Sequence, residues 1–205
     1  MKRYSIRLEI AGPTAMWTRP DTGDAPTSYA APTYSAVKGI FESVLWLKSA
    51  EVVPTAAEIC APVLYHAYTT NYGGPLREGD QIRGGTNYQL IATVLTNVCY
   101  RLHAEVRSVL EGVPGRWAAA NGAHAYQEMF EERLERGQTW RTPCLGWQEF
   151  VPSYLGPFRP GTRVQESESQ TLPSMLHRVF PRRPDGRGEF RQNVRIEKGV
   201  LRYAP

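Results

Sequence analysis

Four histidines, His66, His103, His124 and His177, are the side chains suited to exchanging a proton near neutral pH. His124 follows Asn-Gly-Ala at what reads as the start of a helix. Unpaired N–H groups there favour an anion such as phosphate, and an imidazole beside them could serve as general acid or base. His103 alternates with apolar residues along a strand and reads as structural or surface. His66 and His177 have no acidic or cysteine partner at ligand spacing. The nucleophile and phosphate signatures GxSxG, GxxxxGK[ST] and HExxH are absent. "NYGGPLREG" and "IRGGTN" are glycine-rich but lack the strand–loop–helix setting of a phosphate loop. No Asp/Glu/His cluster predicts a metal, and no cofactor is expected. If the chain cuts anything, metal-independent chemistry fits best. For RNA, that is attack by the substrate's own 2′-hydroxyl on the adjacent phosphate.

Charge points the same way. The 205 residues carry a formal net charge of +4, unevenly spread. Residues 151–205 hold ten Lys/Arg against five Asp/Glu, whereas 1–150 hold fourteen against fifteen. Arginine outnumbers lysine twenty to four, and its planar fork suits phosphates and base edges. With Tyr154, Phe158, Phe180, Phe190 and Tyr203 interleaved, the C-terminal quarter suggests nucleic acid, with a solvated arginine-rich surface as the alternative. No apolar run approaches the roughly 18 residues needed to cross a bilayer, so no membrane partner is expected. "MKRYSIRLEIAG" lacks the apolar core of a signal peptide. Cys60, Cys99 and Cys144 are odd in number, far apart in sequence and outside any CxxC pattern, which predicts a reducing cytoplasm.

The elements that must position these residues follow from periodicity. "YSIRLEIAG" sets Ile6, Leu8 and Ile10 against Ser5, Arg7 and Glu9, a half-buried strand. "PTAMWTRPDTGDAPTS" reads as loop. "YAAPTYSAVKGIFESVLWLKS" (29–49) predicts a helix capped by Thr33 or Ser35, with Val37, Ile40, Phe41, Val44 and Leu45 as one apolar stripe. Residues 52–68 predict a β segment broken by Pro54 and Pro62. Residues 69–89, with five glycines, predict an extended loop or projecting hairpin. "QLIATVLT" and "NVCYRLHAEV" are strands, and "NGAHAYQEMFEERLERGQ" is a second amphipathic helix stopped by Gly137. "TLPSMLHRVF" and "FRQNVRIEKGVLRYAP" close the chain as strands. The order β-α-β-β-α-β predicts an α+β, ferredoxin-like fold with helices on one sheet face and the other face free. Residues 1–143 would form that domain and 144–205 a C-terminal β region.

Several stretches, in consistent order over nearly the whole chain, resemble the Cas-five subunit family of type I-C CRISPR Cascade, in the RAMP superfamily. They are "MWTRPDTGDAPTSYAAPTYSAVKGIFESVLW", "LTNVCYRLHAEV", "CLGWQEFVPSYLGPF" and the closing "SMLHRVF" and "FRQNVRIEKGVLRYAP". "PTYSAVKGI…W" and "LGWQEF" are the most specific. The resemblance implies a subunit that binds the 5′ handle of CRISPR RNA beside the backbone and large subunits of Cascade. It implies metal-independent cleavage of precursor RNA, leaving a 5′-hydroxyl and a 2′,3′-cyclic phosphate. The family chemistry uses a tyrosine late in the first helix and a Lys-His pair opening the second. Those positions fall here on Leu45 and on Ala123 and His124, so one of three catalytic side chains remains. Lys38, seven residues before Leu45 on the same expected helix face, could replace the cation. Tyr126 or Tyr29 could replace the phenol. The alternative is a structural subunit that caps the guide without cutting. The 69–89 excursion resembles the family's thumb-like hairpin. Arg77 and Arg83 are its candidate handle contacts, joined by Arg19 and Lys38. The basic C-terminal segment would line the RNA or meet the large subunit.

Overall fold

The computed structural model describes residues 4–72, 79–85, 88–109, 122–178 and 188–203. The fold is α+β, dominated by one eight-stranded antiparallel sheet. In chain order the elements are β1 (Tyr4–Ala15), α1 (Tyr34–Val44), β2 (Ala50–Ile59), β3 (Leu64–Tyr72), α2 (Gly79–Arg83) and β4 (Tyr88–Ser108). They continue with α3 (Gly122–Glu135), β5 (Tyr154–Gly156), β6 (Gln170–Arg178), β7 (Glu189–Glu197) and β8 (Val200–Arg202). The strand order is β5-β1-β4-β2-β8-β7-β6, with β3 paired to β4 off this path.

The two strands expected at 89–106 are a single 21-residue strand, β4. Its C-terminal half pairs with β1 and β2, and its N-terminal half with β3, through Tyr72↔Tyr88. At Asn97 φ is +52, a left-handed conformation that asparagine tolerates. There the β1 ladder skips one pair between Gly12↔Val98 and Thr14↔Thr96 without a change of register, at Pro13, which has no N–H to give to a ladder. β1 therefore runs on to Ala15, into the stretch expected as loop. Pro54 does not break β2: the strand absorbs it as a register shift between Pro54 and Ala56. The excursion at 69–89 is the end of the β3–β4 hairpin, with α2 in it.

Val98, Tyr100, Leu102, Ala104 and Val106 alternate into the core as expected, facing Ile6, Leu8 and Ile10 of β1. α1 and α3 cover this face, meeting through Phe41 and Phe130 at 5.6 Å. Thr33 caps α1 by accepting from the Ala36 N–H at 3.2 Å. The helix ends at Val44, and Leu45 is already extended (φ −149°, ψ 128°). Lys38 and Leu45 thus do not share a helix face, contrary to the sequence reading. The last carbonyls of α1, which have no partner inside the helix, are taken up from α3 and the chain beyond it. Arg133 Nε donates to Val44 O at 3.0 Å, and the Trp140 and Arg141 N–H groups donate to Ser43 O at 2.7 and 3.0 Å. α3 ends in two reversed bonds, Gly137 N to Leu134 O and Gln138 N to Arg133 O, with Gly137 at φ +64°.

The other sheet face is not free. Phe158 lies across it, with the guanidinium carbons of Arg101 and Arg7 at 4.7 and 5.2 Å from its ring and His103 edge-on at 5.4 Å. Glu9, expected on the solvent side of β1, is fully buried beneath this segment. Its carboxylate accepts from Thr162 Oγ1 at 2.8 Å, Arg159 N–H at 3.1 Å and Arg101 Nε at 3.3 Å, and pairs with Arg159 Nε. Cys60 and Cys99, distant in sequence, are cross-strand neighbours, with Cys60 N–H bonded to Cys99 O at 2.8 Å; both are free thiols. No described helix is long and apolar enough to cross a membrane.

Two stability predictions follow from these ties. Burial alone would raise the Glu9 pKa, but the hydrogen bonds from Thr162, Arg159 and Arg101 outweigh it and hold the carboxyl below its ordinary value. A depressed carboxylate stabilises the fold above its unfolded pKa, about 4.3, and that contribution is lost as pH falls through the lower folded value. Thermal melts should show Tm dropping below about pH 4.3, and Glu9→Gln should flatten that drop while costing roughly 2 kcal/mol at neutral pH. Gly146 sits at φ +97°, where an added Cβ would stand 1.8 Å from the Met16 carbonyl oxygen. Gly146→Ala should destabilise by about 2 kcal/mol or more, read as a Tm fall of roughly 4–8 °C.

Candidate active site

α3 opens at Gly122, where an added Cβ would lie 2.9 Å from the Ser49 carbonyl oxygen. That close approach sets the helix start against the turn leading into β2. His124 stands in the first turn, with its side chain about half exposed. Its Nε2 lies 3.4 Å from Glu128 Oε1, one turn on, and its ring meets Tyr4 edge-on at 5.6 Å. Tyr4 begins β1, opposite Val106 near the end of β4. A phenol and an imidazole therefore share the rim where β1, β4 and the start of α3 converge. The sequence held no signal for this pairing, because Tyr4 lies 120 positions earlier and reads as the edge of a strand.

The other candidates are placed elsewhere. Ala123 is buried at 3% exposure and Leu45 at 6%, both within the apolar core. Tyr126 is buried too, and its hydroxyl donates to the Leu45 carbonyl. That bond ties α3 to the end of α1 and uses the proton a catalytic phenol would offer. Burial pushes the Tyr126 pKa well up, which further opposes a phenolate. Lys38 Nζ lies 3.2 Å from Glu51 and 3.9 Å from Glu42, so its charge is already answered.

Tyr29 precedes the opposite end of α1, an 11-residue helix about 16 Å long. Its hydroxyl accepts from Leu176 N–H at 3.2 Å and donates to Ser174 O at 3.4 Å, both in β6. Burial raises its pKa as well. Arg19 sits over the Tyr29 ring at 5.5 Å and forms a two-pronged pair with Asp21 at 2.8 and 3.2 Å. Arg83 ends α2 on the hairpin, 86% exposed and 3.7 Å from Asp80. Arg77 lies outside the described residues. So the structure joins Arg19 to Tyr29 and Tyr126 to Leu45, and it sets His124 beside a residue the sequence did not nominate.

His103 pairs with Glu58 at 3.0 Å on the face under Phe158, an acidic partner the sequence did not reveal. His177 is buried against Tyr34, with ring centroids 4.4 Å apart; burial first, then the charge of Arg191, lowers its pKa to about 4. Among the described residues no group of three His, Cys, Asp or Glu side chains is placed to hold a metal ion.

Comparison with known proteins sets this geometry in a family. The family model for CRISPR-associated protein (Cas_Cas5) matches residues 5–198. A protein of Mannheimia succiniciproducens named "CRISPR pre-crRNA endoribonuclease Cas5d" is 27% identical over 195 residues, covering 85% of this chain and 84% of that one. Among solved structures, a CRISPR-associated protein superposes with a TM-score of 0.73 at 15% identity, covering all of this chain and 94% of the other. A chain of a CRISPR RNA-guided surveillance complex superposes with a TM-score of 0.55 at 13% identity, covering 97% and 91%. With the match spanning almost the full sequence, the chain belongs to the CRISPR-associated Cas5 family.

Proposed function

We propose that the chain binds the 5′ handle of CRISPR RNA as a Cascade subunit in the cytoplasm, and cuts precursor RNA there without a metal. The observation that carries the cutting is the half-exposed His124 beside Tyr4, at the position that the resemblance assigns to a catalytic histidine. The 2′-hydroxyl of the scissile nucleotide loses its proton and attacks the adjacent phosphorus. The P–O5′ bond breaks, the leaving 5′ oxygen takes a proton, and a 2′,3′-cyclic phosphate remains. His124 serves one of these transfers as general base or acid. Tyr4, rather than Tyr126 or Tyr29, is the phenol within reach of the same phosphate. The position that the resemblance gives to the family lysine is Ala123, so the rate is reduced, by about 10²-fold or more relative to a site that has the lysine.

The fold supports this reading. β5-β1-β4-β2 with α1 and α3 has the order of the ferredoxin-like unit, taking β5 as its fourth strand. On this reading the unit draws on residues beyond 143, with β8, β7 and β6 as the C-terminal β region beside it. Arg83 on the hairpin, Arg19 and the sequence candidate Arg77, which lies outside the described residues, are the handle contacts, and the backbone and large subunits of Cascade are the neighbours. A second reading is favoured by Leu45 and Ala123 in the core and by the Tyr126 hydroxyl spent on Leu45 O. On it, the subunit holds RNA without cutting.

Incubating the protein with repeat RNA in EDTA separates the two. The cutting reading predicts slow cleavage with 5′-hydroxyl and cyclic-phosphate ends, lowered about 10²-fold by His124→Ala and about tenfold by Tyr4→Phe. Tyr126→Phe should instead act on stability, by about 1 kcal/mol, through the lost bond to Leu45. No cleavage by the wild type would establish the second reading, and wild-type cleavage that His124→Ala leaves unchanged would overturn the role given to His124.

A further inference from the structure

The hairpin of β7 and β8 and the neighbouring β6 enclose a groove of about 770 Å³ against the start of α1. Arg191, Arg195, Lys198 and Arg202 line it, opposed by the single carboxylate of Glu197, which lies 3.9 Å from Arg195. Its wall also carries Met175, Leu176 and Val194, apolar surfaces against which a base can lie. Tyr34 lines the same groove and is only 5% exposed. Among the described residues its hydroxyl is the buried side-chain polar atom with no hydrogen-bond partner. His177, Tyr203 and the guanidinium of Arg178 hold the Tyr34 ring in place, at 4.4, 5.9 and 5.1 Å. A rigidly held, unpartnered hydroxyl beside four cations and an apolar wall is the arrangement that one nucleotide would complete. Its phosphate would meet the cations, its base the wall, and a ribose or phosphate oxygen the Tyr34 hydroxyl.

We propose that this groove is a binding site for the backbone of single-stranded RNA, separate from the His124 rim. Four strand steps part β7 from β1, about 19 Å. The proposal rests on the RNA-binding reading above and assigns it a surface that does no chemistry. The guide would be held at both ends of the sheet, one segment at the rim and another in the groove.

The test is anisotropy of a fluorescein-labelled oligouridylate titrated with the full chain across a salt series, with polyglutamate as the competing polyanion. Four phosphate contacts predict a slope of log K against log salt of about −2.8. The double variant Arg195→Gln/Lys198→Gln, on exposed side chains, should reduce that slope by about 1.4 and the affinity about tenfold at moderate salt, with Tm unchanged. Tyr34→Phe keeps the ring and should weaken binding about fivefold. Wild-type slope and affinity in the double variant would overturn the proposal. So would polyglutamate displacing the RNA at equal charge, which would mark the groove as a seat for an acidic protein. Cleavage of repeat RNA in EDTA by the groove variants keeps the two readings apart: lost groove binding leaves the His124-dependent end chemistry unchanged, and His124→Ala leaves the salt slope unchanged.

Discussion

Every part of the molecule hangs on one strand. β4 makes backbone ladders with β1, β2 and β3, so its geometry fixes where the two helices can lie and where the hairpin points. A strand of 21 residues could not serve all three partners if it ran straight, because a right-handed twist accumulates along it. Asn97 relieves this with a single left-handed residue, opposite a proline that offers no N–H. The β2 ladder ends at Tyr100 and the β1 ladder at Leu95, and from Thr96 back to Tyr88 β4 pairs with β3. The core ladders and the β3 hairpin thus lie on two halves of one strand.

The clasp between α1 and α3 is the second constraint. The carbonyls of Ser43, Val44 and Leu45 would be orphaned at a helix end buried in protein, at a cost of about 1–3 kcal/mol each. The Tyr126 hydroxyl, the Arg133 guanidinium and two N–H groups after α3 answer them. A position that the family resemblance marks for a catalytic tyrosine has become a structural joint. The chemistry proposed above falls at the start of α3, where His124 meets Tyr4 two residues before the Tyr126 joint.

Much of this was legible in the sequence wherever a single face sets the pattern. The alternation of 98–106, the stripe from Val37 to Val44 and the Gly137 stop each encode a local choice, and each appears in the structure. What was illegible depends on the second face of an element or on distant chain. Glu9 reads as solvent-facing because its strand alternates; only residues 159 and 162 bury it. Leu45 continues the helical stripe, and only tertiary hydrogen bonding ends the helix before it. Tyr126 looked like a spare phenol until its partner was visible. The Tyr4–His124 pair joins the first strand to the third helix, and no spacing rule connects them. Sequence period reports burial, whereas catalytic pairing reports topology.

The most direct measurement of the central claim uses a repeat RNA carrying a single 2′-deoxy nucleotide on the 5′ side of the scissile bond. The account predicts that the protein binds this RNA as tightly as the all-ribose strand and does not cut it, because the attacking oxygen is missing. Cleavage of the deoxy strand would contradict the account, since some other nucleophile would then be doing the chemistry.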